Sequence, residues 1–426
     1  ARARHKRPDP VVMLAGGPGQ SAIRLAPKVM PAFARLNNLR DIVFVDQRGT
    51  GRSAPLVCPP PPPAPLAQQM DLRHQDELLQ ACLVQLRALP HGDLRHYGTT
   101  VAMQDLDAVR AALGAARWNL VGGSYGTRAG LEYLRLFPDR VRRLVIDGVA
   151  PPDMVLPTSF SVDNQAAFDA MLAACRAEPA CATRHPDLAR QWSRLLASVP
   201  REVRLAHPVT GRPETVRVER DHLLGAVRAP LYVPALAAGL PQAIDLAERE
   251  GRFEALLGLG GGLAAGMDLA IGMHFSVVCT EDAPRLDQPA PTGADFGRTF
   301  EDLYRRVCAG WPRGQVDPAF YRVGPSPAPV LVLSGGIDPV TPPRHGERVA
   351  QALGPRARHL VMPQAGHGVM NQGCAPDLVH RFLTEDDDAR ALEADAACLS
   401  KVPRPGVFHL PDPLAPAPLP ARAASR

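Results

Sequence analysis

The chain has 426 residues, 46% hydrophobic and 21% charged, which is long enough for one large domain with an insertion or for two domains. Its 48 basic and 43 acidic residues are scattered and leave a net charge of +5, without the basic, aromatic-rich run of a nucleic-acid binder, so no nucleic-acid partner is expected. No stretch approaches the ~18 consecutive apolar residues of a membrane span, and none is predicted.

The first 150 residues alternate short apolar runs with helical patterns, which predicts the α/β class with a mostly parallel sheet flanked by helices. The predicted strands in this part are Val11 to Ala15, Ile42 to Asp46, Asn119 to Gly122 and Val141 to Ile146. Thr99 to Leu113 has a helical rhythm that ends before Gly114, and we expect this helix to cover the sheet.

The strand rhythm disappears between about Pro151 and Pro325, where Asn164 to Arg176 and Ala235 to Leu257 are interpreted as helices. It returns with Val330 to Leu333 and His359 to Met362. We therefore expect residues 151–325 to be a helical cap, inserted between two parts of one core, 1–150 and 326–402. The proline-rich stretches Pro59 to Pro65 and 403–426 are expected to be an extended loop and a tail.

Eight cysteines fall into four pairs that are close in sequence: Cys58/Cys82, Cys175/Cys181, Cys279/Cys308 and Cys374/Cys398. No pair has C-x-x-C spacing with histidines nearby, so no zinc site is predicted. Disulfides within these pairs would favour an oxidising compartment, the periplasm or the exterior. No signal-peptide pattern opens the chain, which is compatible with a signal peptide already removed. The alternative is eight buried thiols in a cytoplasmic enzyme.

The segment from Asn119 to Arg128, NLVGGSYGTR, carries the clearest chemical signal. An apolar strand runs into Gly122-Gly-Ser-Tyr-Gly126 and then into a helical pattern, which is the arrangement of a nucleophile elbow. A serine hydroxyl is a weak nucleophile, and the sharp turn exposes it to a general base. Ser124 is therefore the predicted nucleophile, whereas a bare G-x-S-x-G can also be a plain turn.

The base and its orienting acid are expected later in the chain, each after a strand, in the order serine, acid, histidine. His367 follows the strand that ends at Met362 and lies between two glycines, which leaves the ring room to face the serine. Asp338 follows the strand of Val330 to Leu333 and is the predicted acid. Asp147, at the end of an earlier strand, is the rival, although a turn or capping role suits it better.

An oxyanion hole requires two N–H donors, one after the nucleophile and one from the loop after an early strand. Tyr125 supplies the first, and Gly17 in the loop Gly16-Gly-Pro-Gly19 is the predicted second donor. This loop lacks the lysine and the serine or threonine of a P-loop, so a nucleotide site is not expected. No metal or organic cofactor is implied, because the predicted triad needs none.

Five motifs together resemble the prolyl aminopeptidase and tripeptidyl aminopeptidase family of α/β-hydrolases, over nearly the whole chain. They are the loop at 16–19, DQRGTGRS at 46–53, GGSYG at 122–126, SGGIDPVT at 334–341 and GHG at 366–368. The segment SVVCTED at 276–282 is similar to the tripeptidyl-peptidase branch, whose members are mostly secreted or periplasmic.

The resemblance implies a helical cap and cleavage of one or a few residues from a free peptide N-terminus. It also implies that cap carboxylates bind the α-ammonium group of the substrate, a role that Glu281 and Asp282 match; a solvated acidic pair is the alternative. An esterase or amidase acting on non-peptide acyl groups remains open, because one triad serves many substrates. So does a catalytically silent binding protein, which would have no need of all three triad residues.

Overall fold

The computed structural model describes residues 1–59, 64–207, 210–265 and 268–408, with the backbone alone for 262–265. The strands are β1 (Val11–Leu14), β2 (Ile42–Phe44), β3 (Trp118–Gly123), β4 (Val141–Asp147), β5 (Arg201–Ala206), β6 (Pro213–Val218), β7 (Val330–Gly335) and β8 (Ala357–Met362). The α-helices are α1 (Ala22–Phe33), α2 (Leu66–Gln69), α3 (Leu72–Arg87), α4 (Thr99–Ala112), α5 (Tyr125–Leu136), α6 (Phe160–Ala177), α7 (Pro179–Arg184), α8 (Leu188–Ala197), α9 (Arg220–Leu231), α10 (Pro234–Ala237), α11 (Leu240–Glu250), α12 (Glu254–Ala265), α13 (Ile271–Glu281), α14 (Thr299–Gly310), α15 (Pro343–Leu353), α16 (Ala375–Thr384) and α17 (Asp388–Leu392).

Six strands form one parallel sheet in the order β2-β1-β3-β4-β7-β8. Both faces of this sheet are buried, since neighbouring residues of each strand point into different apolar clusters. Val11, Val121 and Leu331 pack with α1 and α16 on one face, whereas Val12 and Leu120 pack with α4 and α5 on the other. Strands buried on both faces read as continuous apolar runs, which is why the sequence pattern located them.

Residues from α6 to α12 build a second core of their own. Trp192, Phe168 and Phe253 are fully buried there, between helices and a two-stranded hairpin of β5 and β6. The expectation that residues 151–325 contain no strands is wrong for this hairpin. Its buried residues, such as Val203 and Val216, alternate with arginine, glutamate and threonine, and so short a period-two signal is easily lost in a helical region.

Helices α13 and α14 pack against the part of the chain before β3 rather than into this second core. They share an apolar cluster with α3 and with residues such as Leu56 and Tyr97. The four expected disulfides are all present, and the bond between Cys279 and Cys308 ties α13 to α14. The start of α13 also lies against the loops that follow β1 and β2, since the amide of Ala270 donates to the carbonyl of Gly19 and that of Gly272 to the carbonyl of Leu56, both at 2.9 Å.

The parallel sheet flanked by helices confirms the predicted fold class. Each predicted strand is present with bounds shifted by at most a few residues, and the predicted helix at Thr99 to Leu113 is α4, Thr99–Ala112. The expected loop at Pro59 to Pro65 and the expected tail lie largely outside the described residues, which omit 60–63 and end at 408. Within the described residues, no helix combines the length and apolarity that crossing a bilayer requires.

Candidate active site

The predicted site residues come from four strands of the parallel sheet, each at its carboxyl end. The Gly16–Gly19 loop follows β1, Ser124 follows β3, Asp338 follows β7, and His367 follows β8. Because parallel strands all end at the same edge of a sheet, residues far apart in sequence meet there. The topology thus puts the predicted nucleophile, acid and base on one edge of the molecule.

Ser124 occupies the turn between β3 and α5 with φ 55° and ψ −123°, a backbone conformation that residues with a side chain rarely adopt. The turn is tight, because a Cβ on Gly122 would collide with the carbonyl oxygen of Gly126. A Cβ on Gly126 would collide in turn with the carbonyl of Leu14 in β1. The glycines two residues before and after the serine are thus required by contact, as the elbow interpretation expects.

The side chains of Asp338 and His367 form a hydrogen bond of 2.8 Å between Oδ2 and Nδ1. The acid is held by its own loop, since Oδ1 accepts the amides of Val340 and Thr341, both at 2.9 Å. The hydroxyl of Thr341 lies 2.7 Å from Asp338 Oδ2 and 3.1 Å from His367 Nδ1. With Nδ1–H donated to the carboxylate, Nε2 of His367 is the nitrogen left to take a proton.

Electrostatics favour the ionised acid and the protonated histidine. Burial alone would raise the pKa of Asp338, but the charge and hydrogen bond of His367 and two backbone amides outweigh it and lower that pKa. Burial would likewise lower the pKa of His367, yet the charge and hydrogen bond of Asp338 raise it above its ordinary value. The pair therefore stabilises the imidazolium that forms when the histidine accepts a proton.

Ser124 and His367 are joined through the end of β4. The amide of Ser124 donates to the carbonyl of Asp147 at 2.9 Å, and a Cβ on the next residue, Gly148, would lie 3.1 Å from Cε1 of His367. No hydrogen bond links the serine hydroxyl to the imidazole in the described residues. Such bonds often tighten only when substrate is bound.

Asp147, the rival acid, supports the histidine loop. Its carboxylate accepts the amides of Val369 and Met370 at 2.8 Å, just after His367. Burial is the main cause that raises the pKa of Asp147 to about 6, and these backbone amides oppose it. Asp147 thus fixes the backbone that carries the imidazole, whereas Asp338 contacts the ring itself.

The glycine loop lies directly against the elbow, since a Cβ on Gly16 would be 3.1 Å from Cβ of Ser124. Gly17 has φ 107°, which only glycine adopts readily. Tyr125 is the first residue of α5, so its amide is one of the helix N-terminal N–H groups without an intrahelical acceptor. Tyr125 directly follows the serine, and Gly17 follows the glycine that lies against it. The role of their amides as oxyanion donors remains a proposal.

A histidine of α13, which the sequence analysis did not single out, holds this loop. His274 lies 3.1 Å from the carbonyl of Pro18 through Nδ1 and 2.7 Å from the hydroxyl of Tyr304 through Nε2. Burial lowers the pKa of His274 to about 4, so the ring is neutral near pH 7. A neutral ring has one donor and one acceptor, which fits Nδ1–H donating to Pro18 and Nε2 accepting from Tyr304.

Glu281 and Asp282 are enclosed in the fold, so the expectation that they bind the ammonium group of a substrate is wrong. Their side chains are 2% and 0% exposed, and both face Arg128 of α5, which is itself 0% exposed. Arg128 donates to both Asp282 oxygens at 3.0 and 3.1 Å, and Glu281 also accepts the amide of Thr99 at 2.6 Å. Sequence reasoning missed this because the guanidinium that neutralises them lies 153 residues earlier than Glu281.

The pKa values of Glu281 and Asp282 are both shifted in this buried cluster. Burial is the main cause that raises the pKa of Glu281 to about 7, with Arg128 opposing and Asp282 adding to it. Burial also raises the pKa of Asp282. This buried cluster therefore ties α13 to α5, the helix that follows Ser124. In the described part of the chain, no group of three histidine, cysteine or acidic side chains is placed to hold a metal ion.

Comparison with known proteins agrees with this architecture. Residues 9–233 match the family described as alpha/beta hydrolase fold, and residues 293–398 match the family described as TAP-like protein. The chain belongs to the α/β-hydrolase family and is a serine hydrolase.

Three of the similar proteins resemble most of the chain. It is 27% identical to a tripeptidyl aminopeptidase of Streptomyces coelicolor, over 94% of this chain and 78% of that protein. It is 26% identical to serine protease Hip1 of Mycobacterium tuberculosis, over 88% and 78% of the two chains. A carboxylesterase B of Mycobacterium tuberculosis is 29% identical over 80% of this chain and 70% of that protein.

Proposed function

We propose that the protein is a serine exopeptidase that releases one or a few residues from the free N-terminus of a peptide. The observation that carries the chemistry is the hydrogen-bonded set of Asp338, Thr341 and His367 at the strand ends beside Ser124. The peptide substrate is supported by the tripeptidyl aminopeptidase and the serine protease among the similar proteins.

In the proposed mechanism the hydroxyl of Ser124 attacks the scissile carbonyl while Nε2 of His367 takes its proton. Asp338 stabilises the imidazolium, and the amides of Gly17 and Tyr125 donate to the oxyanion. His367 then gives the proton to the leaving amine, which departs and leaves an acyl-enzyme on Ser124. Water, activated by the same histidine, hydrolyses that ester and restores the serine.

The second candidate is an esterase or amidase of the same fold. It is favoured by one observation, the enclosure of Glu281 and Asp282, because an exopeptidase needs an anion for the substrate's ammonium group. The carboxylesterase among the similar proteins agrees with this reading. Both candidates share the acyl-enzyme, so only the substrate separates them.

A panel of aminoacyl and tripeptidyl arylamides, each with a free and an acetylated N-terminus, tests the choice. The exopeptidase predicts a kcat/KM at least ten times higher for the free than for the capped form, since capping removes a charge-assisted contact worth about 1.5–3 kcal/mol. Equal rates on both forms would contradict it. Rapid cleavage of simple aryl esters without cleavage of any arylamide would establish the second candidate.

The disulfides indicate in which cellular compartment the proposed enzyme acts. Four disulfides that use all eight cysteines are typical of proteins that fold under oxidising conditions. We therefore infer that the enzyme works in the periplasm or outside the cell.

A further inference from the structure

Arg228, near the end of α9, lies in an aromatic cage. Its guanidinium carbon is 4.8 Å from the ring centre of Phe300, 5.1 Å from that of Phe160 and 5.5 Å from that of Tyr232. Its Nη2 donates to the hydroxyl of Tyr232 at 2.9 Å. The faces of aromatic rings attract a cation, so the cage holds the guanidinium in a fixed orientation.

The charge of Arg228 has no counterion in the described part of the chain. No carboxylate there lies within ion-pair distance of it, and its Nε is buried without a hydrogen-bond partner. Arg128, buried in the same molecule, faces two acids instead. Because a half-buried guanidinium without an anion is costly, an anion from outside the chain is the natural partner.

The caged guanidinium is next to the proposed base. The ring of Tyr232 meets the imidazole of His367 edge-on with ring centres 5.2 Å apart, and the carbonyl of Tyr232 accepts the amide of His367 at 2.9 Å. Tyr232 therefore contacts Arg228 on one side and His367 on the other. The positive charge of Arg228 also opposes protonation of His367 and of His274. Tyr232 is thus the link between the caged guanidinium and the proposed base.

We propose that Arg228 is a specificity residue that binds a carboxylate of the substrate next to the scissile bond. The inference rests on the proposed function in that the substrate is taken to be a peptide. A peptide offers two carboxylates, an acidic side chain beside the cleaved bond or the terminal carboxylate of a short leaving fragment. The guanidinium binds either one through paired N–H groups and disfavours an ammonium group at the same place.

The wild-type enzyme tests this without any mutation. Two matched peptide pairs are compared: glutamate against glutamine beside the cleaved bond, and a free against an amidated C-terminus on a short substrate. We expect kcat/KM to be about ten- to one-hundred-fold higher for the carboxylate member of at least one pair, the range of a hydrogen bond to a charged group. The pair that shows the preference identifies the source. Ratios near one in both pairs would overturn the proposal.

Variants then attribute the preference to this side chain. Arg228→Met keeps the length and removes the charge, and it should bring the preferred ratio close to one through KM. Arg220→Met is the matched control, because Arg220 is an exposed arginine of the same helix whose guanidinium donates to the carbonyl of Asp295. The control should keep the wild-type ratio. A preference that survives in Arg228→Met, with the labelling below intact, would also overturn the proposal.

A neutral fluorophosphonate and a pair of aryl esters separate this proposal from the peptidase assignment. The fluorophosphonate reports the serine regardless of substrate, so it also shows whether a variant is folded. If the wild type labels but cleaves no peptide, the peptidase assignment fails. The 4-nitrophenyl monoester of glutaric acid, compared with its carboxamide analogue, then supports the carboxylate site if the acid reacts faster and overturns it if the two react equally.

Discussion

The carboxylate of Asp338 accepts hydrogen bonds from two amides, from the hydroxyl of Thr341 and from His367. A carboxylate with this many donors stays ionised even though it is buried. Thr341 also lies 3.1 Å from Nδ1 of His367, so one hydroxyl helps to fix the relative position of acid and base. We infer that Thr341 positions the pair without touching the substrate.

Replacing Thr341 by valine should lower kcat/KM about tenfold, because valine keeps the shape and removes one hydrogen bond to a charged group. The loss should appear in kcat more than in KM, since the bond supports the imidazolium formed during the reaction. Thr341→Ser, which keeps the hydroxyl, should recover most of the rate. An unchanged kcat/KM in Thr341→Val would show that the hydroxyl has no part in positioning.

The pH dependence of the rate follows from His367. A base acts in its neutral form, and Asp338 raises the pKa of His367 above 6.5. The pH profile of kcat/KM should therefore rise with an apparent pKa above 6.5. Asp338→Asn removes the raising charge, so burial should then move that midpoint downward, while the rate falls by about 10⁴-fold. A midpoint that stays in place in Asp338→Asn would contradict the assignment of the acid.

Local motifs led to the three proposed triad positions, because each combines a strand end with small neighbours. Thr341 stands three residues after Asp338, and its position in the predicted motif was the available signal. The partners of Glu281 were not predictable, since nothing near it in sequence reveals that Arg128 and Thr99 will face it. Pairing between distant charges is set by the packing of whole helices, which a local pattern does not contain.

At the scale of elements, the buried cluster of Arg128, Glu281 and Asp282 connects α13 to α5, the helix that follows Ser124. Glu281 reaches the amide of Thr99, and the Thr99 hydroxyl lies 2.8 Å from that of Tyr125. The cluster thus supports both ends of the first helical turn after the serine. Removing the charge of Arg128 should therefore lower the stability of the fold and also alter the turn that carries Ser124.

Arg128→Met should lower the free energy of unfolding by about 3–5 kcal/mol, because it leaves two buried carboxylates without their cation. Folding raises the pKa of Glu281 to about 7, so the folded chain binds this proton more tightly than the unfolded chain does. The protonated carboxyl therefore favours the folded state at acid pH, and this stabilisation is lost as pH rises through about 7. The deficit should therefore shrink at acid pH. Urea unfolding at pH 5 and pH 8 measures both effects.

Arg24→Met is the matched control for that experiment. Arg24 pairs with Asp268 on the surface, where the two side chains are 67% and 58% exposed. Exposed pairs contribute little, so this loss should be far smaller and nearly independent of pH. Equal deficits in the two variants would refute a stabilising role for the buried cluster.

The sequence predicted the elements of the core better than those of the cap. The inner strands β1, β3, β4 and β7 are almost entirely buried and supply most of the apolar runs. Helices α4, α5 and α15 each end within two residues of a glycine or proline. The hairpin of β5 and β6 was missed, because only one of its faces is buried and its other face carries charges such as those of Arg204 and Arg217. Helices α13 and α14 were placed in the cap by sequence order, whereas their packing is with Leu56 and Tyr97.

At the scale of the molecule, the disulfides join segments that are 6 to 29 residues apart, so each closes a short loop. Each disulfide stabilises one local region of the fold. None of them joins segments that are far apart in the sequence. The bond between Cys279 and Cys308 matters most for the site, because α13 carries His274 and Glu281.

Denaturing the unreduced protein should expose no thiol that reacts with Ellman's reagent, and reduction should expose eight. Replacing both Cys279 and Cys308 by alanine should lower stability by about 2–4 kcal/mol, the usual contribution of a disulfide. The double replacement of Cys58 and Cys82, which closes a loop of similar length, is the comparison, and it should affect kcat less. Eight reactive thiols before reduction would contradict both the pairing and the inferred compartment.

The central claim is that Ser124, His367 and Asp338 act as one catalytic unit. The most direct measurement is labelling of the intact enzyme with a fluorophosphonate, followed by mass spectrometry of the modified peptide. The account predicts one adduct on Ser124, no labelling of Ser124→Ala, and labelling slowed at least a hundredfold in His367→Ala. An adduct on another residue, or undiminished labelling of Ser124→Ala, would contradict it.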